Sequence, residues 1–261
     1  VMLGAQDGLY RSRSSGARWE QAQFLDGKIT NVIPGQSGLY ACSYGLGLFM
    51  IFAGSDIWNP LSNTLPDKSV RTVLETADGS ILVGTDSGIY KSKDGGKSWK
   101  HVFNEGIVLD IVTSGDVLIS GGRQGVSRST DGGEHWDYVL NENILAKNTV
   151  FTGNHFVAIL GTEDATTVDP KGITSRIRTS YDGGKSWQRI EKALRPSNST
   201  CRMDESLSEV KDVYDIIQMG DYLLCSFDTG IYRSADQGKT WEPVLPTKTR
   251  SGFTFAISGS V

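Results

Sequence analysis

Ser92-Lys93-Asp94-Gly95-Gly96-Lys97-Ser98-Trp99 decides the fold, because the chain says it again and again. It returns as Ser129-Thr130-Asp131-Gly132-Gly133-Glu134-His135-Trp136 and as Ser180-Tyr181-Asp182-Gly183-Gly184-Lys185-Ser186-Trp187. A further copy reads Ser234-Ala235-Asp236-Gln237-Gly238-Lys239-Thr240-Trp241. A weaker one, Ser12-Arg13-Ser14-Ser15-Gly16-Ala17-Arg18-Trp19, keeps the serine, glycine and tryptophan but not the aspartate. Gly47 to Trp58 aligns without gaps on Gly88 to Trp99, holding the framing glycine, an apolar pair and the tryptophan. The six tryptophans, Trp19, Trp58, Trp99, Trp136, Trp187 and Trp241, are 39, 41, 37, 51 and 54 residues apart. A repeat of about 40 to 50 residues made of short strands is the spacing of propeller blades.

Each repeat reads as four strands. In the fourth, the apolar run Val108-Leu109-Asp110-Ile111-Val112 is followed by the turn Ser114-Gly115-Asp116. Then come Val117 to Ser120, a glycine-rich turn, Val126 to Ser129, the boxed turn, and His135 to Val139. Short β-rich runs separated by glycine turns are hairpin signals. No segment sustains a 3.6-residue apolar period, so almost no helix is expected. The two ends complete one another: Val1 to Gly8 matches a second strand, and Phe253 to Ser258 matches a first strand. The expected fold is therefore all-β, a six-bladed β-propeller of four-stranded antiparallel blades in one domain over residues 1–261. The C-terminal strand would pair with the N-terminal three and close the ring, removing exposed sheet edges.

The boxed phrase is a turn-and-wedge device. Gly95 and its equivalents permit the positive backbone angles of a tight hairpin. Asp94, Asp131, Asp182 and Asp236, two positions after their serines, can accept hydrogen bonds from the turn's own amides. The tryptophan buries a large ring between blades, and its indole N–H needs an acceptor.

With these residues laid out, the phrase resembles the Asp-box, or BNR repeat, of sialidases and related propellers, Ser-x-Asp-x-Gly-x-Thr/Ser-Trp. Ser92 to Trp99, Ser180 to Trp187 and Ser234 to Trp241 fit it fully, and Ser129 to Trp136 departs only at His135. The resemblance runs nearly end to end and speaks for fold, not activity. Sialidases, xyloglucanases, sortilin-type receptors and a photosystem II assembly factor look alike at this level, so the fold does not choose the function. Many such proteins are exported, which implies a secreted or periplasmic location. The chain opens on Val1 inside a blade, with room for a leader removed ahead of it.

Composition narrows the classes further. With 26 basic against 30 acidic side chains there is no basic excess to drive nucleic-acid binding. No apolar run approaches the ~20 residues that span a bilayer. Cys42, Cys201 and Cys225 are no disulfide framework. Cys42 and Cys225 occupy comparable second-strand positions in different blades and read as buried thiols, while Cys201 lies in a loop from which a bond to Cys225 could form. His101, His135 and His155 fall on three blades without ligand spacing, so no metal and no cofactor are expected.

A site is expected on the rim that carries the second-to-third strand turns and the blade-to-blade connections, opposite the boxes. Two insertions lengthen that rim, about 161–176 and 191–211. Loops longer than about 12 residues in compact domains are often functional. Their charged residues, Glu163, Asp164, Asp169, Arg176, Arg195, Arg202, Asp204 and Glu205, make a candidate site for a glycan or protein ligand, against the plainer reading of solvated loops. A second candidate is the central channel, where Asn31, Thr72, Asp110, Thr149, Asp215 and Phe255 align at one level. Asp110 and Asp215, three blades apart, would face each other across the axis and could hold a cation or share a proton. The turn aspartates Asp7, Asp86 and Asp228 sit before glycine in short hairpins and read as turn chemistry.

Catalytic sets are missing from the text of the chain. Sialidases need an arginine cluster, and their family phrase Arg-Ile-Pro has as its nearest counterpart Asn31-Val32-Ile33-Pro34. Arg71 stands alone and Arg123 sits in a turn. Another glycosidase would need two carboxylates about 5 to 9.5 Å apart, which Glu163 or Asp164 with Asp204 or Glu205 could supply. The expectation is a monomeric, non-catalytic binding or assembly module, with a glycan-active hydrolase built on the fifth-blade insertions as the alternative.

Overall fold

The computed structural model describes residues 2–14, 17–22, 27–141, 144–161, 175–189, 213–227, 230–236 and 240–246. All the regular elements among them are strands, arranged in six antiparallel sheets whose neighbours follow one another in sequence. The first sheet holds Met2–Ala5, Gly8–Arg11 and Glu20–Gln21. The second holds Ile29–Pro34, Gly38–Ser43, Gly47–Phe52 and Trp58–Pro60, and the third Thr72–Glu75, Ile81–Thr85, Gly88–Ser92 and Lys100–Phe103. The fourth holds Val108–Ser114, Val117–Gly122, Gly125–Ser129 and Asp137–Leu140. Leu145–Phe151, Phe156–Gly161, Ser175–Ser180 and Gln188–Arg189 make the fifth. Val213–Met219, Tyr222–Phe227, Gly230–Ser234 and Glu242–Pro246 make the sixth. These are the six blades of an all-β propeller. The expected closing strand, Phe253 to Ser258, lies outside the described residues, and the first sheet has three described strands.

By contacts the chain forms two compact units, one of Val1–Arg123 with Ser129–Asp137 and one of Gln124–Arg128 with Tyr138–Val261. In the first unit, Tyr40, Cys42, Leu48 and Met50 of the second blade pack with Val73, Val83 and Tyr90 of the third, and Trp99 joins them. Leu82 and Ile89 of the third blade meet Val108, Ile111 and Leu118 of the fourth, with Trp136 against them. Trp58 packs beside Leu9, Ile29 and Ala41. In the second unit, Trp241 joins Val157, Ile159 and Ile177 of the fifth blade to Val213, Ile216 and Cys225 of the sixth. In all four cases the tryptophan lies at the junction with the preceding blade, as the wedge reading expects. Burial is uneven, however: Trp241 is 5% exposed, Trp99, Trp136 and Trp187 are half-buried, and Trp19 is 41% exposed. The most exposed of these rings, Trp19, belongs to the first blade, whose box has lost its aspartate.

The boxes close as hydrogen-bonded knots. Ser92 Oγ donates to Asp94 Oδ1 at 2.8 Å and accepts from Gly96 N at 2.8 Å. Asp94 Oδ1 then accepts from Ser98 N at 2.9 Å. Asp182 repeats the pattern with Ser180, Lys185 and Ser186, and Asp236 with Ser234 and Thr240. In the departing copy, His135 Nδ1 lies 2.6 Å from Asp131 Oδ2, where other boxes place a serine or threonine hydroxyl. Gly95 and Gly96 have φ of 70° and 85°, and a Cβ on Gly96 would stand 2.6 Å from the Leu61 carbonyl oxygen. The second glycine is thus required twice, by its backbone angle and by the neighbouring blade. Bonds to Ser98 hold the Asp94 carboxyl down at about 2. Burial pushes Asp131 up, but the bonds from His135, Ser129 and Glu134 outweigh it and hold that carboxyl at about 2 as well.

The weak copy of the first blade keeps the geometry with a substitute. Ser14 Oγ accepts from Arg18 N at 2.9 Å, the bond that Asp94 makes to Ser98 N. The second blade has no box, and its Asp56 instead pairs with Arg11 and Arg13 of the first.

Candidate binding rim

First strands fix the rim through a bulge. Register skips one residue in four of them, passing over Thr30, Leu109, Lys147 and Tyr214. In the third blade Arg71 N donates to Gly84 O at 2.9 Å while Thr72 pairs with the same glycine, so Arg71 takes the bulge. A bulge re-aims the extra side chain away from the ladder. The polar residue that follows is Asn31, Thr72, Asp110, Asn148 or Asp215. This corrects the alignment in one blade: Asn148, not Thr149, holds the level, because Lys147 absorbs the extra residue and Thr149 pairs deeper, with Ala158.

The second and third blades build a defined cluster on this rim. Backbone bonds from Tyr44 N to Lys28 O at 2.9 Å and from Gly45 N to Lys68 O at 3.0 Å pin the second blade's second-to-third turn. Thr30 Oγ1 donates to Val70 O at 2.7 Å, stitching the bulge to the next blade's entry. Tyr44, so held, is 44% exposed, and Leu46 beside it 42%. The Arg71 guanidinium lies 5.2 Å from the Tyr44 ring centre and the Lys28 ammonium 5.8 Å. Both are within the range in which a cation is drawn to an aromatic face. Arg71 is aimed by its ion pair to Asp86, the turn aspartate of the third blade. Asp86 therefore does more than turn chemistry.

A hydrogen-bonded base supports this pair. Asp67 Oδ2 accepts from Ser87 N at 3.0 Å and Ser87 Oγ at 2.7 Å, and Asp67 Oδ1 from Ser69 N at 2.8 Å. Burial works against the Asp67 charge, but the bonds from Ser69 and Ser87 prevail and keep its carboxyl below the ordinary range. His101 Nε2 lies 3.0 Å from Ser87 O, and its ring stacks on Tyr90 at 4.2 Å. The cluster offers an exposed aromatic flanked by two cations, with an apolar neighbour, on a braced turn. It suits an anionic or aromatic-bearing ligand.

Of the residues singled out from sequence, Glu163, Asp164, Asp169, Arg195, Arg202, Asp204 and Glu205 lie outside the described residues, as does Asp228. Arg176 pairs with Leu160 in the fifth sheet, and its side chain is outside the description. Asp110 and Asp215 belong to different units. Asp110 Oδ1 accepts from Ile111 N at 2.9 Å. Asp215 Oδ1 accepts from Ile216 N at 2.8 Å and Asn148 Nδ2 at 2.9 Å, so part of its charge is spent tying the fifth blade to the sixth. Cys42 and Cys225 are buried thiols, both pushed up by burial. Among the described residues no group of three His, Cys, Asp or Glu could hold a metal ion, and no helix is long and apolar enough to cross a membrane. Sequence reasoning passed over Arg71, Tyr44 and Lys28 because a lone arginine and a turn tyrosine carry no motif. The available signal was their departure from the other blades' residues at the same turn.

Comparisons with known proteins agree with this architecture. A BNR/Asp-box repeat model matches residues 232–243, the last boxed turn. No curated protein matches the chain. Among solved structures, an ancestral GH74 enzyme superposes with a TM-score of 0.68 at 16% identity, covering 94% of this chain and 37% of that one. The extracellular domain of BT4673 from B. thetaiotaomicron gives 0.67 at 12%, covering 95% and 33%. YCF48 bound to D1 peptide gives 0.66 at 19%, covering 97% of this chain and 81% of that one. The chain spans about a third of the GH74 enzyme and of BT4673. At these identities the likeness is one of fold, a BNR-type β-propeller.

Proposed function

We propose that this propeller, one continuous domain over residues 1–261, is a non-catalytic module that binds a protein segment on the rim of its second and third blades. The observation that carries the reading is the exposed Tyr44 ring with the Arg71 guanidinium and the Lys28 ammonium both near it, and exposed Leu46 two residues on. Cations next to exposed aromatic and apolar surface favour a segment that joins a carboxylate to an apolar side chain, since arginine and tyrosine dominate the energetics of protein recognition. YCF48, matched over most of its length, was solved with a peptide, which is in keeping with such a role. The insertions bearing Glu163, Asp164, Asp169, Arg176, Arg195, Arg202, Asp204 and Glu205 would extend the contact surface. The reading includes a secreted or periplasmic location and a monomeric state, with no nucleic acid as partner.

An array of synthetic peptides of acidic, neutral and basic composition tests it. Acidic peptides with an apolar neighbour should bind, and Arg71→Ala should weaken them about 10-fold or more, the equivalent of about 1.4 kcal/mol. Glycan arrays and fluorogenic glycosides form the other arm. Glycoside turnover that disappears in Asp164→Asn or Glu205→Gln would replace the binding module with a hydrolase.

A further inference from the structure

His155 ends the turn between the first and second strands of the fifth blade and is 2% exposed. Thr152 N donates to His155 O at 2.9 Å, and Thr152 Oγ1 donates to the same oxygen at 3.1 Å. With its proton so engaged, Thr152 Oγ1 meets His155 Nδ1 at 3.0 Å as an acceptor. On this network we assign the ring proton to Nδ1, which leaves Nε2 as a bare lone pair. Nε2 is buried and has no hydrogen-bond partner among the described residues. Over the imidazole lies the ring of Tyr181, 4.8 Å away between centres and itself 47% exposed. Tyr181 covers the histidine and faces water in its place.

We propose that His155 and its Tyr181 cover form an acid-sensitive latch: protonation of Nε2 unseats the tyrosine and loosens this turn of the fifth blade. A second N–H and a positive charge would arise in a buried place that supplies no acceptor, a costly state unless water is admitted. Tyr181 is the titratable side chain in contact. The Asp236 carboxylate bears on Tyr181, helping burial to raise its phenol. The Gln218 amide, backing Gly153 of the same turn, is neutral. Burial is what draws His155 below its ordinary 6.5.

The sign follows from proton counting. The unfolded chain binds the His155 proton more readily than the folded one, so this contribution is complete above the ordinary histidine value. It is lost as pH falls through 6.5 toward the lower folded value. The latch is tested by following the His155 imidazole by NMR in the intact chain while pH is lowered from 8 to 5. Its midpoint should lie below 6.5, and the Thr152 and Tyr181 signals should shift with it. In Tyr181→Ala the midpoint should rise toward the ordinary value, because water reaches Nε2. The thermal midpoint of wild type should fall over this window more than that of His155→Gln, by on the order of 3 °C per pH unit. Should His155→Gln fail to fold, Tyr181→Ala carries the test alone. A midpoint at or above 6.5 in wild type, or one that Tyr181→Ala leaves in place, overturns the latch.

Discussion

The boxed turns and the bulged rim are the two ends of the same repeat, and the chain treats them in opposite ways. At the boxed end, the blades write serine, aspartate, glycine and tryptophan over and over, and the repeated serine hydroxyls and aspartate carboxylates are spent on each other within the turn. At the rim, equivalent positions diverge. The residue opening the second-to-third turn is Tyr44, Asp86 or Arg123, and the bulge residue is Thr30, Arg71, Leu109, Lys147 or Tyr214. Geometry is shared there while chemistry is not. Repetition within one chain marks the scaffold, and departure from it marks the surface that can recognise something.

If that division holds, substitutions at the two ends should fail in different assays. The largest effect should come from Trp241→Ala, the most buried wedge: about 3 to 5 kcal/mol of stability lost by denaturant unfolding, as for a large buried aromatic. The same change at the exposed Trp19 should cost under about 1 kcal/mol. Equal losses would show that the wedge works without burial. Next comes Glu134→Gln. Its carboxylate receives Lys91, Lys93 and Lys100 at 2.8 to 2.9 Å, and Lys91 is buried. Removing the charge takes away that ammonium's ion-pair partner, although the Asp78 carboxylate still bears on it, so a loss of about 1 to 2 kcal/mol is expected, with unchanged peptide binding.

Acid sharpens the comparison more gently. The box carboxyls of Asp94 and Asp131 titrate near 2, below the ordinary value of 3.8. A carboxylate held low in the folded state adds stability above its unfolded value, and that stability is lost as pH falls through the folded one. The boxes should therefore stay closed in mild acid and open between about pH 4 and 2. Asp131→Asn should flatten the stability profile across that interval while leaving the profile above pH 5 parallel to wild type. The smallest effect belongs to Asp56→Asn, an exposed residue whose pairs to Arg11 and Arg13 should matter at low salt and vanish at high salt.

The two ends also differed in how well they could be read from sequence. The box announced itself because its chemistry is local: Asp94 reaches Ser98 four residues on, and the tryptophan spacing counts the blades. Even the lost aspartate of the first blade was visible, although the stand-in bond from Ser14 was not. The rim cluster joins Lys28, Tyr44, Arg71 and Asp86, residues from two blades brought together by turns and a bulge, and nothing in their spacing declares it. The bulge itself shifted one residue of the inner level, from Thr149 to Asn148, because an extra residue leaves no mark on an apolar pattern. Long insertions drew attention by length alone, whereas the described cluster sits on turns of ordinary size.

One titration puts the whole division at risk. Wild type, Arg71→Ala and Asp131→Ala are titrated calorimetrically with the tightest acidic peptide from the array, and their thermal midpoints are recorded on the same samples. The account predicts that Arg71→Ala binds about 10-fold or more weakly at an unchanged midpoint, while Asp131→Ala melts several degrees lower and keeps its affinity. Loss of affinity in Asp131→Ala with none in Arg71→Ala would place recognition at the boxed end and contradict it.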